Sequence, residues 1–130
     1  MENKIDEDLI LIGDSDRISQ VLMNLLTNAR KYVPLENGRI TIESELKGSD
    51  DSQVLQISVL DNGPGIAPEE LFKLFKPFSK LEANSDLNPN GIGLGLSICK
   101  LVCKNLGGDI IVTSDKGCTK FTFWVDVKLL

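Results

Sequence analysis

The spacing of apolar residues changes period along this chain, which restricts it to folds that pack helices against a sheet. After Gly13, the residues Ile18, Val21, Leu22, Leu25, Leu26 and Ala29 recur at three- and four-residue steps and define one apolar helix face. Asp14 or Ser15 can cap that helix by accepting from the free N–H groups of its first turn, and Val33-Pro34 should end it. Two segments of period two follow: Arg39–Leu46, with Ile40, Ile42 and Leu46 on one parity, and Val54–Leu60, with Leu55, Ile57 and Val59. Lys47–Ser52 between them reads as a polar hairpin connection.

The remaining segments fit the same scheme. Leu9–Ile12 reads as a first strand, and Asp61–Gly65 breaks the second period-two segment into a tight loop. Pro68 suits the first turn of a short helix over Glu69–Phe75, with Pro77 ending it. Ser79–Asn90, poor in apolar residues, predicts a mobile loop. A second long helix should open inside Gly91–Gly95, bury Leu94, Ile98, Leu101, Val102 and Leu106, and stop at Gly107-Gly108. Strands at Asp109–Thr113 and Thr119–Val127 close the chain, the latter alternating Phe121, Phe123, Val125 and Val127. The order predicts one α+β domain over residues 1–130: a two-layer α/β sandwich, its mostly antiparallel mixed sheet covered on one face by three helices.

Composition removes several functions. Asp and Glu outnumber Lys and Arg 19 to 14, so a net charge of −5 argues against a nucleic-acid surface, which draws on a positive field. An anionic ligand would have to be held locally, by helix N-terminal N–H groups and a few lysines. No stretch approaches the ~20 apolar residues of a membrane helix, and the N-terminus lacks a signal-peptide pattern. Cys99, Cys103 and Cys118 make no paired framework, and with no histidine present there is no zinc set. The chain is expected to be a soluble, monomeric, cytoplasmic piece of a longer protein, without membrane contact of its own even where the parent is membrane-bound. Cys99 and Cys103, four apart on a helix, read as ordinary buried or half-buried side chains rather than a redox pair.

Three constellations carry chemistry. Gln20, Asn24, Asn28, Lys31 and Tyr32 form a polar stripe along the edge of the first helix's apolar face. Asparagine is a mediocre helix former, so two of them four apart are either a solvated face or a site. In Asp61-Asn62-Gly63-Pro64-Gly65-Ile66, a carboxylate at a strand end precedes two glycines that let backbone approach a flat ligand, although a plain turn would look similar. Gly91-Ile92-Gly93-Leu94-Gly95-Leu96 opens a helix, where unpaired N–H groups and the positive dipole end favour phosphate. Its spacing matches neither a dinucleotide fingerprint nor a P-loop.

In this order the motifs resemble the ATP-binding catalytic domain of histidine kinases, in the superfamily that also holds DNA gyrase, Hsp90 and MutL. Asn24–Tyr32 resembles the N box, Asp61–Ile66 the first glycine box, Leu74–Phe78 the F box and Gly91–Leu96 the second glycine box. The resemblance implies the Bergerat ATP-binding fold, with ATP and Mg²⁺ as cofactors. By that likeness Asp61 accepts the adenine amine, Asn28 holds Mg²⁺ with Asn24 beside it, Lys31 meets a phosphate and Tyr32 packs on the adenine and ribose. Asn24, Asn28 and Lys31 would then be catalytic, while Gly63, Gly65, Ile66, Lys80, Gly91, Ile92, Gly93, Leu94, Gly95, Leu96 and Thr119 would border the nucleotide. Ser79–Asn90 would be the ATP lid, its root anchored by Phe75 and Phe78. The implied partners are a histidine-bearing dimerisation hairpin of the parent protein and, downstream, a response regulator receiver domain.

The chain differs from the gyrase-like branch of that superfamily at one place and departs from the histidine kinase pattern at two. Gyrase-like ATPases carry a water-activating glutamate where this chain has Asn24, which cannot act as a base. The last glycine motif, Lys116-Gly117-Cys118-Thr119, has Cys118 near the position of the second glycine. No histidine is present, so phosphohistidine cannot form within this chain. The expected activity is transfer of the γ-phosphoryl group to a histidine on a separate segment. The alternatives are a degenerate nucleotide-binding module and a serine kinase or mitochondrial dehydrogenase kinase of the same superfamily.

Overall fold

The computed structural model describes residues 2–3, 11–12, 14–49, 52–71, 73–76, 95–115 and 117–129, with the side chains of residues 2, 3, 11, 12, 32, 49 and 129 left aside. In chain order the elements are β1 (Glu2–Asn3), β2 (Leu11–Ile12), α1 (Ser15–Tyr32), β3 (Ile40–Ser49), β4 (Ser52–Asp61), α2 (Pro68–Leu71), α3 (Gly95–Asn105), β5 (Asp109–Asp115) and β6 (Cys118–Leu129). β3, β4, β6 and β5 make an antiparallel sheet in that spatial order, with β1 added in parallel to β3 and β2 paired to the far end of β6. With α1 and α3 on one face of this sheet, the molecule is the expected two-layer sandwich.

The pairing register stacks side chains into rows across the inner face. Leu55 pairs with Val125, Ile57 with Phe123 and Val59 with Phe121, while Ile110 and Val112 of β5 oppose Phe123 and Phe121. Val21, Leu25 and Ala29 of α1 and Cys99, Val102 and Cys103 of α3 close over these rows, all at most 5% exposed. Burying each large side chain contributes roughly 1.5–3 kcal/mol, which makes the register hard to slip. On the outer face Ser58 and Thr122, both buried, satisfy each other across the strands at 2.8 Å.

The helix ends are set by local chemistry. Of the two candidate caps for α1 the structure uses Asp14, whose Oδ1 accepts from Arg17 N at 3.2 Å. A cap of this kind contributes about 1 kcal/mol. α3 ends as expected at Gly107-Gly108: Gly107, at φ 86°, lets Gly108 N bond back to Cys103 O at 2.8 Å and Gly107 N to Lys104 O at 3.2 Å.

Three expectations need correction. The hairpin connection is shorter than Lys47–Ser52: β3 runs to Ser49 and β4 starts at Ser52, because ladder bonds satisfy this polar backbone whatever its side chains. α2 stops at Leu71 rather than Phe75, and i→i+3 bonds take over as Leu74 N reaches Leu71 O at 3.3 Å and Lys76 N reaches Lys73 O at 3.1 Å. α3 buries a different stripe. Cys99, Val102 and Cys103 face the core with Leu96 and Leu106 half-buried, while Ile98 is 39% and Leu101 61% exposed. The small thiols let the helix approach α1 and the sheet more closely than Ile98 and Leu101 would. Leu94, Pro77, Phe78, Leu9, Ile10 and the segment Ser79–Asn90 lie outside the described residues. No described helix is long and apolar enough to cross a membrane.

The buried pair behaves as the sequence suggested. Burial pushes both thiols up, Cys99 with partial relief from the Asn24 amide and Cys103 to about 12, so both stay protonated and unreactive near neutrality. Cys118 is exposed. A disulfide-exchange reagent at pH 8 should therefore modify one thiol per native chain and three in denaturant; mass mapping that finds Cys99 or Cys103 modified as fast as Cys118 in the native protein would contradict the packing of α3.

Candidate functional site

The row that follows Val59 and Phe121 on the inner face turns from apolar to polar. Ile40 pairs with Asp61, Asp61 with Thr119 and Thr119 with Ser114, so period two places the three polar residues side by side at one end of the core. Asp61 is 6% and Thr119 4% exposed. A carboxylate at this depth calls for hydrogen-bond donors. Gly63 N supplies one, to Asp61 Oδ1 at 2.9 Å. Burial pushes the Asp61 carboxyl above its usual range, and the Gly63 N–H pulls it partly back.

The loop after β4 is fixed at both ends. Asn62 Oδ1 accepts from Arg39 N at 2.7 Å and its Nδ2 donates to Asn37 O at 2.7 Å, which ties the loop to the segment before β3. At the other end Ile66 N donates to Ser114 Oγ at 2.7 Å, and Ser114 Oγ lies 3.2 Å from Thr119 Oγ1. Between these anchors Gly65 has φ 86°, and a Cβ there would stand 2.9 Å from Asp115 O. Glycine is required here by both conformation and space.

The resulting pocket, a cleft of about 290 Å³ counting the solvent space at its mouth, is lined by Asn28, Asp61, Pro64, Gly65, Ile66, Thr119 and Phe121. Pro64, Ile66 and Phe121 make apolar walls, Asp61 and Thr119 a polar floor, and Asn28 of α1 an amide on the helix side. Phe121 is held from behind by Phe75, edge-on with centroids 6.3 Å apart, and Lys100 Nζ sits 5.3 Å above the Phe75 ring. Lys100 is in turn paired with Asp109 at 3.0 Å. Phe75 thus packs on the core through a wall of the pocket.

Of the residues expected at a site, the structure brings together Asn28, Asp61, Gly65, Ile66 and Thr119, with Gly63 buried just behind. Asn24 is half-buried and turns its amide toward the Cys99 thiol rather than into the pocket. Lys31 is exposed, Gly95 opens α3 and Leu96 packs against the core. Lys80, Gly91, Ile92, Gly93 and Leu94, and the Tyr32 side chain, lie outside what is described. Sequence reasoning missed Pro64, Phe121 and Ser114. Phe121 shares the parity of Thr119, which was a usable signal; Ser114 needed the register of the β5–β6 hairpin.

Residues 13–129 match the model of the histidine kinase-, DNA gyrase B- and HSP90-like ATPase family. The chain is 38% identical over 119 residues to hybrid signal transduction histidine kinase B of Dictyostelium discoideum, covering 90% of this chain and 6% of that protein. It is 36% identical over 129 residues to sensor histidine kinase WalK of Bacillus subtilis, covering 98% and 21%. It therefore spans 6% of the first relative's length and about a fifth of the second's. Among solved structures it is similar to the catalytic domain of histidine kinase ThkA in a nucleotide-free form, with TM-score 0.76 and 35% identity over 96% of this chain and 76% of that one. It is also similar to full-length ShkA in complex with AMPPNP, with TM-score 0.76 and 26% identity over 94% and 24%. On sequence and fold together, this chain belongs to the family of histidine kinase-, DNA gyrase B- and HSP90-like ATPases, and its relatives within that family are histidine kinases.

Proposed function

We propose that this chain binds Mg-ATP in the pocket floored by Asp61 and Thr119 and donates the γ-phosphoryl group to a histidine on a separate dimerisation segment, from which a response regulator receiver domain takes it. The observation that carries this reading is the buried Asp61 carboxylate beside apolar walls. An ionised carboxylate has room for several donors, and Gly63 N supplies one. An exocyclic amine on a flat base between Ile66 and Phe121 fits the remainder.

Asn28, on the helix side of the pocket, would face the phosphates in this reading, with Lys31 about one turn further along α1. Among the described residues no group of three or more His, Cys, Asp or Glu could hold a bare metal ion. A magnesium ion would instead arrive with the triphosphate and take the Asn28 amide oxygen as a ligand, a single neutral donor that suits an ion which keeps several waters. When bound, it would neutralise phosphate charge. The chain's own contribution is then positioning: a base clamped at Asp61 and phosphates held along α1 leave the γ-phosphoryl group to an incoming nucleophile. Asn24 supports transfer over hydrolysis, since an amide cannot take a proton from water and this one points at Cys99.

Incubated with γ-labelled ATP and Mg²⁺, the chain alone should acquire no acid-labile label, because it contains no histidine, and should release phosphate slowly, because Asn24 offers no base to activate water. With the histidine hairpin of its parent added in trans, label should appear on the hairpin and vanish when Asn28 is replaced. Transfer should be slow and concentration-dependent, because the millimolar effective concentration typical of a short linker is lost. Rapid phosphate release by the chain alone would instead mark a hydrolase, and tight binding without transfer at any hairpin concentration a binding module.

Asp61→Asn separates ligand binding from stability. A hydrogen bond to a charged group contributes roughly 1.5–3 kcal/mol, so ATP affinity should fall about 10- to 150-fold by calorimetry. The nucleotide-free variant should nevertheless melt higher at pH 7. In the wild type the folded carboxyl titrates above its ordinary 3.8, so the folded form holds the proton more tightly than the unfolded chain. Burial of the charge thus costs stability above the raised value, and the cost lapses as pH falls through it toward 3.8. The melting advantage of Asp61→Asn should shrink over that same interval; unchanged ATP affinity would remove Asp61 from the site.

A further inference from the structure

Ser114 touches two parts of the pocket wall without lining the pocket itself. Its Oγ accepts the Ile66 N–H at 2.7 Å, lies 3.2 Å from Thr119 Oγ1, and stands 3.1 Å from where a Cβ on Gly65 would be. The register makes this contact obligatory, since Ser114 and Thr119 are direct partners on adjacent strands and share the inner face with Asp61. A serine hydroxyl has one proton and two lone pairs. One lone pair is already committed to Ile66, on the loop that forms an apolar wall.

We propose that Ser114 is a positioning residue that gives its proton to Thr119 Oγ1, so that the Thr119 proton is left for the ligand; Ser114 thereby helps set which nucleobase edge the pocket accepts. The inference rests on the nucleotide reading above. With Thr119 held as a donor next to Asp61, an acceptor, the floor complements an edge that pairs a donor with an acceptor in the opposite order. A 6-amino purine presents that edge, with its exocyclic N–H and the neighbouring ring nitrogen. A 6-oxo purine reverses both groups. Without the Ser114 hydroxyl, Thr119 can rotate to present either its proton or a lone pair, and Ile66 N loses its acceptor.

The test is competition binding of ATP and ITP, both with Mg²⁺, to the full chain and its Ser114 variants. Loss of a net hydrogen bond of about 1 kcal/mol corresponds to roughly a 5-fold change in affinity. Ser114→Ala should weaken ATP by about that factor while ITP changes by less than about twofold, narrowing the preference. Ser114→Thr, which restores the hydroxyl, should recover it. Equal losses for both nucleotides would make Ser114 a structural prop only and overturn the proposal, as would an unchanged preference in Ser114→Ala or failure of Ser114→Thr to rescue. Should Ser114→Ala fail to fold by circular dichroism, Thr119→Val keeps the Ile66 bond and removes only the hydroxyl that Ser114 aims. It must narrow the preference in the same way, and a full preference in that variant overturns the proposal. A wild-type chain that binds neither nucleotide would bring down the nucleotide reading itself, whereas binding with any of the contrary variant results brings down only the role of Ser114.

Discussion

The pairing register of β4, β6 and β5 is the constraint on which the rest of this molecule depends. It stacks Ile57, Phe123 and Ile110, then Val59, Phe121 and Val112, in successive rows under the helices, and the next step along the strands delivers Asp61, Thr119 and Ser114. Core and site are thus one pattern, read in two-residue steps. A slip by one residue would expose the apolar rows and carry Asp61 to the opposite face, so the hydrophobic energy that holds the core also holds the site geometry. The site needs no separate scaffold.

A buried carboxylate has a cost, and the fold limits it by local means. Gly63 N is brought to Asp61 by the loop itself, and that loop is pinned by Asn62 on one side and by Ser114 on the other. Gly65 allows the loop to lie against Asp115 O, where any side chain would collide. Further out, Lys100, Phe75 and Phe121 form a stack that backs one apolar wall, with Asp109 keeping the ammonium in place. These contacts are modest singly, since exposed ion pairs contribute about 0–1 kcal/mol. Their effect is to fix positions around a group that would otherwise be easier to leave in water.

Much of this was legible in the sequence. The helix over Ile18–Ala29, the alternation in β4 and β6 and the double glycine after α3 each obey a single local rule, and each stands where that rule puts it. The site was legible where a motif was contiguous, as in Asp61–Ile66. What escaped depended on choices made in three dimensions. The stripe of α3 could have been drawn through Ile98 and Leu101 or through Cys99 and Cys103, and only the space between α1 and the sheet decided for the smaller thiols. Ser114 looked like an ordinary strand serine until the β5–β6 pairing set it opposite Thr119. Asn24 was expected beside Asn28 at the metal, but on one helix they face different neighbours, Cys99 and the pocket.

An acidic chain with a net charge of −5 is an unpromising host for a triphosphate, so nucleotide affinity has to come from the Asp61 floor, the apolar walls and the groups along α1 rather than from a general positive field. The most direct measurement is the melting temperature of this chain against Mg-ATP and Mg-ADP concentration. Binding to the native state alone stabilises it by RT ln(1 + [L]/Kd), about 2.7 kcal/mol at one hundred times Kd, so the melting temperature should climb steadily with either nucleotide. A melting curve that stays fixed up to millimolar Mg-ATP and Mg-ADP would contradict the account.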